Sequence, residues 1–449
     1  MISKAPSPGR VKNISYPEIP SVQLENGLQV LLVKDHSFPR VTIKLAIPVG
    51  RAASPDDSLA LITLAANLIK EGTTSRSAQQ ISDLMDRLAI QYDSGVFMEY
   101  CLFSMKALLA HAETAMELLA DLLQNSTFPE EELARVKIRW RSSLIAQRSQ
   151  PEFLANEQTF HALYPNHSYS KVSIPAQHLE KADRQAVQDV FSRFFVPAGA
   201  LLVLAGPLEL NEAGRLASRF FGDWNPPNAP PMLYGELARQ KGRKVYLVHR
   251  PHSIQSTITV STYALPKNHP DSLVLKLANQ ALGGGASARL FLNLREDKGY
   301  TYGAYSLLKS YRYSGVFAAS ANVKREATLE CILEIFSELE RMSSATPAED
   351  ELNRCRSELI GSFVRQMQTP ESISVLEIVR RLYGLPEDYY QNFIPGIRSV
   401  EPAMVAELSR QLFEGQDLAI TVVGDQDQVE DQLREIGPVH VYDILGNQL

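Results

Sequence analysis

Cysteine is scarce. The 449 residues hold three, Cys101, Cys331 and Cys355, and no two share a CxxC or zinc-type spacing. So sparse and odd a set argues against a disulfide framework and reads as reduced thiols in packed elements. Long apolar runs are also missing: none reaches the roughly 18 residues that a membrane span needs. Positive charge is not in excess. With 45 Lys and Arg against 51 Asp and Glu, the formal net charge is -6 and the pI near 5.9. That leaves no electrostatic footprint for nucleic acid or an anionic lipid surface. The opening "MISKAPSPGRVKNISYPEIP" has no apolar core of a signal peptide. A cytoplasmic location is expected for the chain as it stands, and a periplasmic one if it is an already processed chain.

What is present is a duplication. A chain this long is expected to divide into more than one core. "VLLVKDH" at Val30 to His36 returns as "VYLVHRPH" at Val245 to His252. "FPEEELARVK" from Phe128 returns as "TPAEDELNRC" from Thr346, and "FSRFFVPAGALLVLAGPL" from Phe191 returns as "LSRQLFEGQDLAITVVGD" from Leu408. The offsets stay between 215 and 219 residues. A nearly constant offset is the mark of a tandem repeat. We divide the chain into an N-terminal arm (1–20), a first domain (21–222), a Pro-rich linker (223–243) and a second domain (244–449). The linker prolines cannot continue a helix or a central strand.

Each half opens with strands ("LQVLLVKD" and "RVTIKLAIPVG"; "KVYLVHR" and "STITVSTYAL"), leading into a helix. Further strands follow, then amphipathic helices such as "AETAMELLADLLQN" and "ATLECILEIFSELERM", and a closing strand, "ALLVLAG" or "LAITVVG". Mixed, adjacent strands and helices predict an α+β fold in each half. One segment raises a question. "SLALITLAANLIKEGT", Ser58 to Thr73, reads as a helix over 58–72 ended by Gly72. Thr63, Asn67 and Lys70 fall at i, i+4 and i+7, which puts a polar stripe on one face of an apolar helix.

"LENGLQVLLVKDHSFPRVTIKLAIPVGR", "FHALYPNHSYSKVSI" with "FFVPAGALLVLAGPL", and "SARLFLNLREDKGYTYGAYS" together resemble the pitrilysin, insulinase and mitochondrial processing peptidase family. The resemblance implies two homologous αβ domains, each a sheet of about six strands with helices on one side. It also implies a clam-like pairing of two such chains around a chamber. Active members hold zinc through an inverted motif, His-x-x-Glu-His, on a helix that ends near Gly-Thr, with a second glutamate downstream. Aligned on Gly72-Thr73, Thr63 and Asn67 stand at the two histidine positions and Ala66 at that of the base. From Leu133 to Pro151 there is no Asp or Glu to act as the downstream ligand. Neither an alcohol nor an amide replaces imidazole for zinc, and Ala66 cannot move a proton. No metal is expected in this chain.

The same resemblance assigns Arg295 and Tyr302 to the family's substrate-holding Arg/Tyr pair. An Arg offers a fork of donors to a peptide carbonyl, and a Tyr hydroxyl can donate to a carbonyl oxygen as charge develops there. The expectation is a non-catalytic subunit. It would close the chamber of a heterodimeric metallopeptidase, with the zinc in a catalytic homologue and a peptide or unfolded polypeptide as substrate. The alternative is a stand-alone peptide-binding or scaffold homodimer. His249 and His252 form an H-x-x-H at a strand end, where residues three apart point to opposite faces. They read as loop histidines with solvent partners and no nearby carboxylate. His161 and His167 read as hydrogen-bonding residues that order the "ALYPN" turn. Gly283-Gly284-Gly285 lacks the Lys and Ser or Thr of a phosphate loop; it reads as a turn or as a short form of the glycine-rich loop on the family's non-catalytic subunit.

Overall fold

The computed structural model describes residues 15–54, 59–224, 234–413 and 417–449. It holds two six-stranded mixed sheets in tandem. The first contains β1 (Ser21–Gln23), β2 (Gln29–Lys34), β3 (Arg40–Ile47), β4 (Gln91–Val96), β5 (Cys101–Leu108) and β6 (Leu201–Gly206), in the order β1-β2-β6-β3-β5-β4. The second contains β7 (Lys244–His249), β8 (Gln255–Ala264), β9 (Thr301–Ser310), β10 (Gly315–Lys324), β11 (Ala419–Gly424) and β12 (Val439–Tyr442), in the order β12-β7-β11-β8-β10-β9. Five strands correspond one to one across the repeat. The sixth does not: β1 precedes β2 and runs antiparallel to it, whereas β12 comes from the chain's end and runs parallel to β7.

Alternation along β2 explains how the sheet is covered. Val30 and Leu32 point into the main core of the first half, with Val41, Ile43 and Leu45 of β3 and the helices Leu59–Leu68 and Ala112–Gln124. Leu31 and Val33 point the opposite way and pack with Val203, Ala205 and Ile378. Ile378 belongs to the helix Pro370–Leu382 of the second half. The exchange is reciprocal. The helix Pro151–Leu163 of the first half lies on the second sheet, where Leu154 and Ala155 meet Val248 and Val423. Its end is pinned by hydrogen bonds: Thr159 Oγ1 donates to Thr421 Oγ1 at 3.1 Å and Tyr164 OH to the Gly315 carbonyl at 2.7 Å, while Tyr263 OH donates to the Leu163 carbonyl. Strands covered on both faces read as unbroken apolar runs, as "VLLV" and "ALLVLAG" do.

Two expectations are refined. The predicted helix over 58–72 is α-helical only from Leu59 to Leu68 and tightens to a 3₁₀ turn over Ile69–Glu71; Ser58 lies outside the described residues. The tightening swings Lys70 into solvent, so it leaves the stripe of half-buried Thr63 and Asn67. Residues 225–233 of the linker and 1–14 of the arm lie outside the described residues. The end of the arm packs on the second half, with the Tyr16 ring 5.0 Å from that of Tyr390. Among the described residues no helix is long and apolar enough to cross a membrane.

Candidate functional site

Thr63 and Asn67 share a face, as their spacing requires, and that face is turned inward. Asn67 Nδ2 donates back to the Thr63 carbonyl at 2.7 Å, which uses the side chain within its own helix. Ala66 is 1% exposed and belongs to the core. Thr63 Oγ1 is buried with no hydrogen-bond partner. It opens onto a cavity of about 220 Å³, whose other walls are Arg51, Trp140, Ser143, Leu144, Gln147, Val172, Ser173 and Ile174.

Sequence reasoning named neither Arg51 nor Trp140. The helix Glu130–Arg148, where a downstream carboxylate was sought, does face Thr63, and it presents Trp140, Ser143, Leu144 and Gln147. The spacing of 140, 144 and 147 is that of one helix face, a signal available once the helix is recognised. Arg51 gave no signal, because an arginine in a loop is ordinarily solvated. Here its Nε is buried without a partner, and burial pulls the guanidinium below its ordinary pKa. The wall therefore offers a cation, an indole, an amide, hydroxyls and aliphatic carbons. Among the described residues it contains no imidazole, thiolate or carboxylate, so this donor set does not suit zinc. No group of three His, Cys, Asp or Glu is placed to hold a metal among the described residues.

The other candidate residues lie elsewhere. Arg295 sits in a π-wound turn, Leu292–Asp297, with its guanidinium 4.7 Å from the Phe291 ring centroid and Nε 3.5 Å from Glu296 Oε1. Tyr302 is the second residue of β9, the outer edge strand of the second sheet, and is 91% exposed. It lines a groove of about 610 Å³ between the helix Pro151–Leu163 and the face of β8, β10 and β9. Phe160, Tyr305, Leu307 and Val316 give this groove apolar walls, and Glu152 and Lys309 give it charge. Arg295 does not line it, so the structure does not bring the pair into one cavity.

The histidines separate by environment. His167 is 4% exposed; its Nδ1 accepts from the Tyr169 amide at 3.1 Å, so it orders the turn as expected. Burial, with the Lys171 charge adding, pushes its pKa down to about 4. His161 instead lies in the last turn of its helix, exposed, beside Tyr246 and His440. His249 Nδ1 accepts the Gln426 amide at 3.0 Å, and the His252 amide donates to Asp425 Oδ2 at 2.9 Å. A carboxylate is therefore close by after all: Asp425, brought from the far end of the chain. It serves the backbone. Gly283 ends a helix against β9, where a Cβ would lie 2.2 Å from the Ser306 nitrogen; the run is a site of close packing.

Duplicated αβ halves, each lending a helix to the other, with a helix in place of a zinc motif but none of its ligands, define a class: metallopeptidase homologues without a metal motif. The comparisons place the chain within a family. The model described as "Insulinase (Peptidase family M16)" matches residues 29–174, and that described as "Peptidase M16 inactive domain" matches residues 181–359. The chain belongs to peptidase family M16. It is 23% identical over 404 residues to "Uncharacterized zinc protease YmxG" of Bacillus subtilis (strain 168), covering 89% of this chain and 96% of that protein. It is 19% identical over 398 residues to "Non-peptidase homolog YmxG" of Helicobacter pylori (88% and 92% covered). It is 23% identical over 444 residues to "Mitochondrial-processing peptidase subunit beta" of Rattus norvegicus (93% and 87% covered). The solved peptidase M16 inactive domain from Pseudomonas fluorescens superposes with a TM-score of 0.83 at 21% identity, covering 91% of this chain and 98% of that one, which bears on the fold. Nowhere in the chain do two histidines stand four apart, so this member lacks the family's metal-binding motif.

Proposed function

We propose that this chain is the non-catalytic subunit of a heterodimeric zinc metallopeptidase. A zinc-bearing homologue supplies the chemistry. This chain closes the chamber and holds peptide with Arg295 and Tyr302. The observation that carries the reading is the replacement of the metal face by Thr63, Ala66 and Asn67, while Tyr302 stays open to a peptide-sized groove. An exposed strand edge gives backbone hydrogen bonds to extended peptide without demanding a sequence, and β9 is such an edge.

Two measurements test it. Purified alone, the chain is expected to hold no stoichiometric zinc by elemental analysis and to show no chelator-sensitive cleavage. Reconstituted with a zinc-bearing homologue, it is expected to support cleavage of a quenched fluorescent peptide. Tyr302→Phe should then lower kcat about 100-fold, the usual cost of one donor to a developing oxyanion. Arg295→Ala should also raise KM. Size-exclusion chromatography checks that assembly is intact. One equivalent of zinc in the lone chain, or full activity in both variants, sinks the reading; the latter would favour a scaffold homodimer.

A further inference from the structure

The cavity beside Thr63 holds a positive charge that nothing among the described residues neutralises. Arg51 is fixed by its backbone: its amide donates to the Phe97 carbonyl at 2.9 Å, and the preceding Gly50 is packed so closely that a Cβ would lie 2.5 Å from the carbonyls of Phe97 and Met98. Among the described residues its guanidinium has no ion pair or hydrogen-bond partner. Glu157, a buried carboxylate bonded to Ser173 of the cavity wall, is already occupied: Arg148 donates to both its oxygens at 3.0 Å. Lys309 adds to the positive field, since the Arg51 charge helps lower its pKa after burial. Burying an uncompensated cation costs free energy. A fold that keeps one in a cavity with an unpartnered hydroxyl beside it is complementary to an anion.

We propose that this cavity binds the carboxylate of an apolar acyl group, with Arg51 as its counter-ion and Thr63 Oγ1 as a further donor. A guanidinium fork matches a planar carboxylate with two parallel hydrogen bonds. The lining holds one cation, and Trp140, Leu144, Val172 and Ile174 are apolar, so the ligand is a monoanion with an aliphatic body. A short branched acid and the C-terminal residue of a peptide share that chemistry. The position that holds a divalent cation in active relatives has thus become a site for the opposite charge. This inference concerns the chain alone and does not depend on a partner subunit.

Trp140 makes the test direct. The chain has two tryptophans, Trp140 and Trp224, so Trp224→Phe leaves the cavity indole as sole reporter. Isovalerate, isovaleramide, N-acetyl-alanyl-valine and its C-terminal amide are titrated against tryptophan emission, with calorimetry alongside. At least one acid is expected to bind saturably, with its amide at least tenfold weaker. Isovalerate alone would point to a free acid; binding of the peptide acid as well would admit a chain terminus; either supports the site. Arg51→Gln is expected to weaken the acid at least tenfold, with Arg51→Lys in between and thermal melts showing that both fold. If Arg51→Gln fails to fold, the acid-against-amide comparison in the arginine-bearing chain decides alone. Absence of saturable acid binding, equal affinity for amides, or a folded Arg51→Gln that binds as before overturns the proposal.

Discussion

At position 167 a buried imidazole has no room for a second proton. Its Nδ1 must stay unprotonated to accept the Tyr169 amide at 3.1 Å, and protonation would turn that acceptor into a donor facing an N–H. The pKa therefore lies near 4 in the folded chain against 6.5 unfolded. The folded state takes up this proton later than the unfolded one, so the contribution is fully present above pH 6.5 and is lost as pH falls toward 4. Thermal melts between pH 7 and pH 4.5 should show a fall in Tm that is smaller in His167→Asn, whose amide oxygen can still accept the bond. Equal slopes in both proteins would show that the turn tolerates the charged ring. The same residue-scale reasoning separates Arg51 from Arg148. Both are enclosed, but Arg148 has Glu157 and Arg51 has no counterpart among the described residues, so the first reads as structure and the second as a site.

Between elements, the tightest contact near the groove is the end of the helix Ser272–Gly283 on β9. A Cβ on Gly283 would sit 2.2 Å from the Ser306 nitrogen, backbone that cannot rotate away, and 2.7 Å from its hydroxyl. Gly283→Ala should cost about 1–3 kcal/mol, the range for overpacking, and displace the strand that carries Tyr302 and Tyr305. Gly285→Ala is the control, since its nearest neighbour is the Glu358 carboxylate at 3.9 Å. Unfolding in denaturant should separate the two variants; equal stability would mean that the helix end yields. Elements also show what the sequence could reveal. The repeat, β2 with β7 and β6 with β11 were legible, because apolar runs at a constant offset are a local signal. The edge strand β4, "QYDSGV", was not, since Tyr92 and Val96 are its only large apolar side chains and are only partly buried. Nor were the roles of Pro151–Leu163 and Pro370–Leu382. What each covers is more than eighty residues away in sequence, and periodicity says that a face is buried without saying against what. The Thr63 and Asn67 stripe was legible for the same local reason, while Arg51 enters the site only through the fold.

For the whole molecule, the exchanged helices decide whether the halves are independent. Without Pro370–Leu382, the first sheet would expose Leu31, Val33, Ala46, Leu201, Val203 and Ala205, all now buried. Without Pro151–Leu163, the second would expose Val248 and Val423 and leave Thr421 without its partner Thr159. The seam is further closed by Glu99, 5% exposed, which accepts from Tyr169 OH at 2.7 Å within its own half and from the Arg312 amide at 3.1 Å across the seam. Each fully buried aliphatic side chain contributes roughly 1.5–3 kcal/mol. The four larger ones on this face, Leu31, Val33, Leu201 and Val203, are together comparable with the entire 5–15 kcal/mol by which a domain is stable. Neither half should therefore fold alone. Expressed separately, residues 1–224 and 234–449 are expected to be insoluble or to bind a hydrophobic dye without a cooperative melt. Co-expressed, they should associate one to one and melt in a single transition, because each supplies the helix that the other lacks. Ile378→Ala, which empties the centre of the exchanged contact, should weaken that association by about 2–5 kcal/mol, read from the dissociation constant of the two fragments. A cooperative melt from either fragment alone would show that the exchange decorates two self-sufficient domains and does not join them.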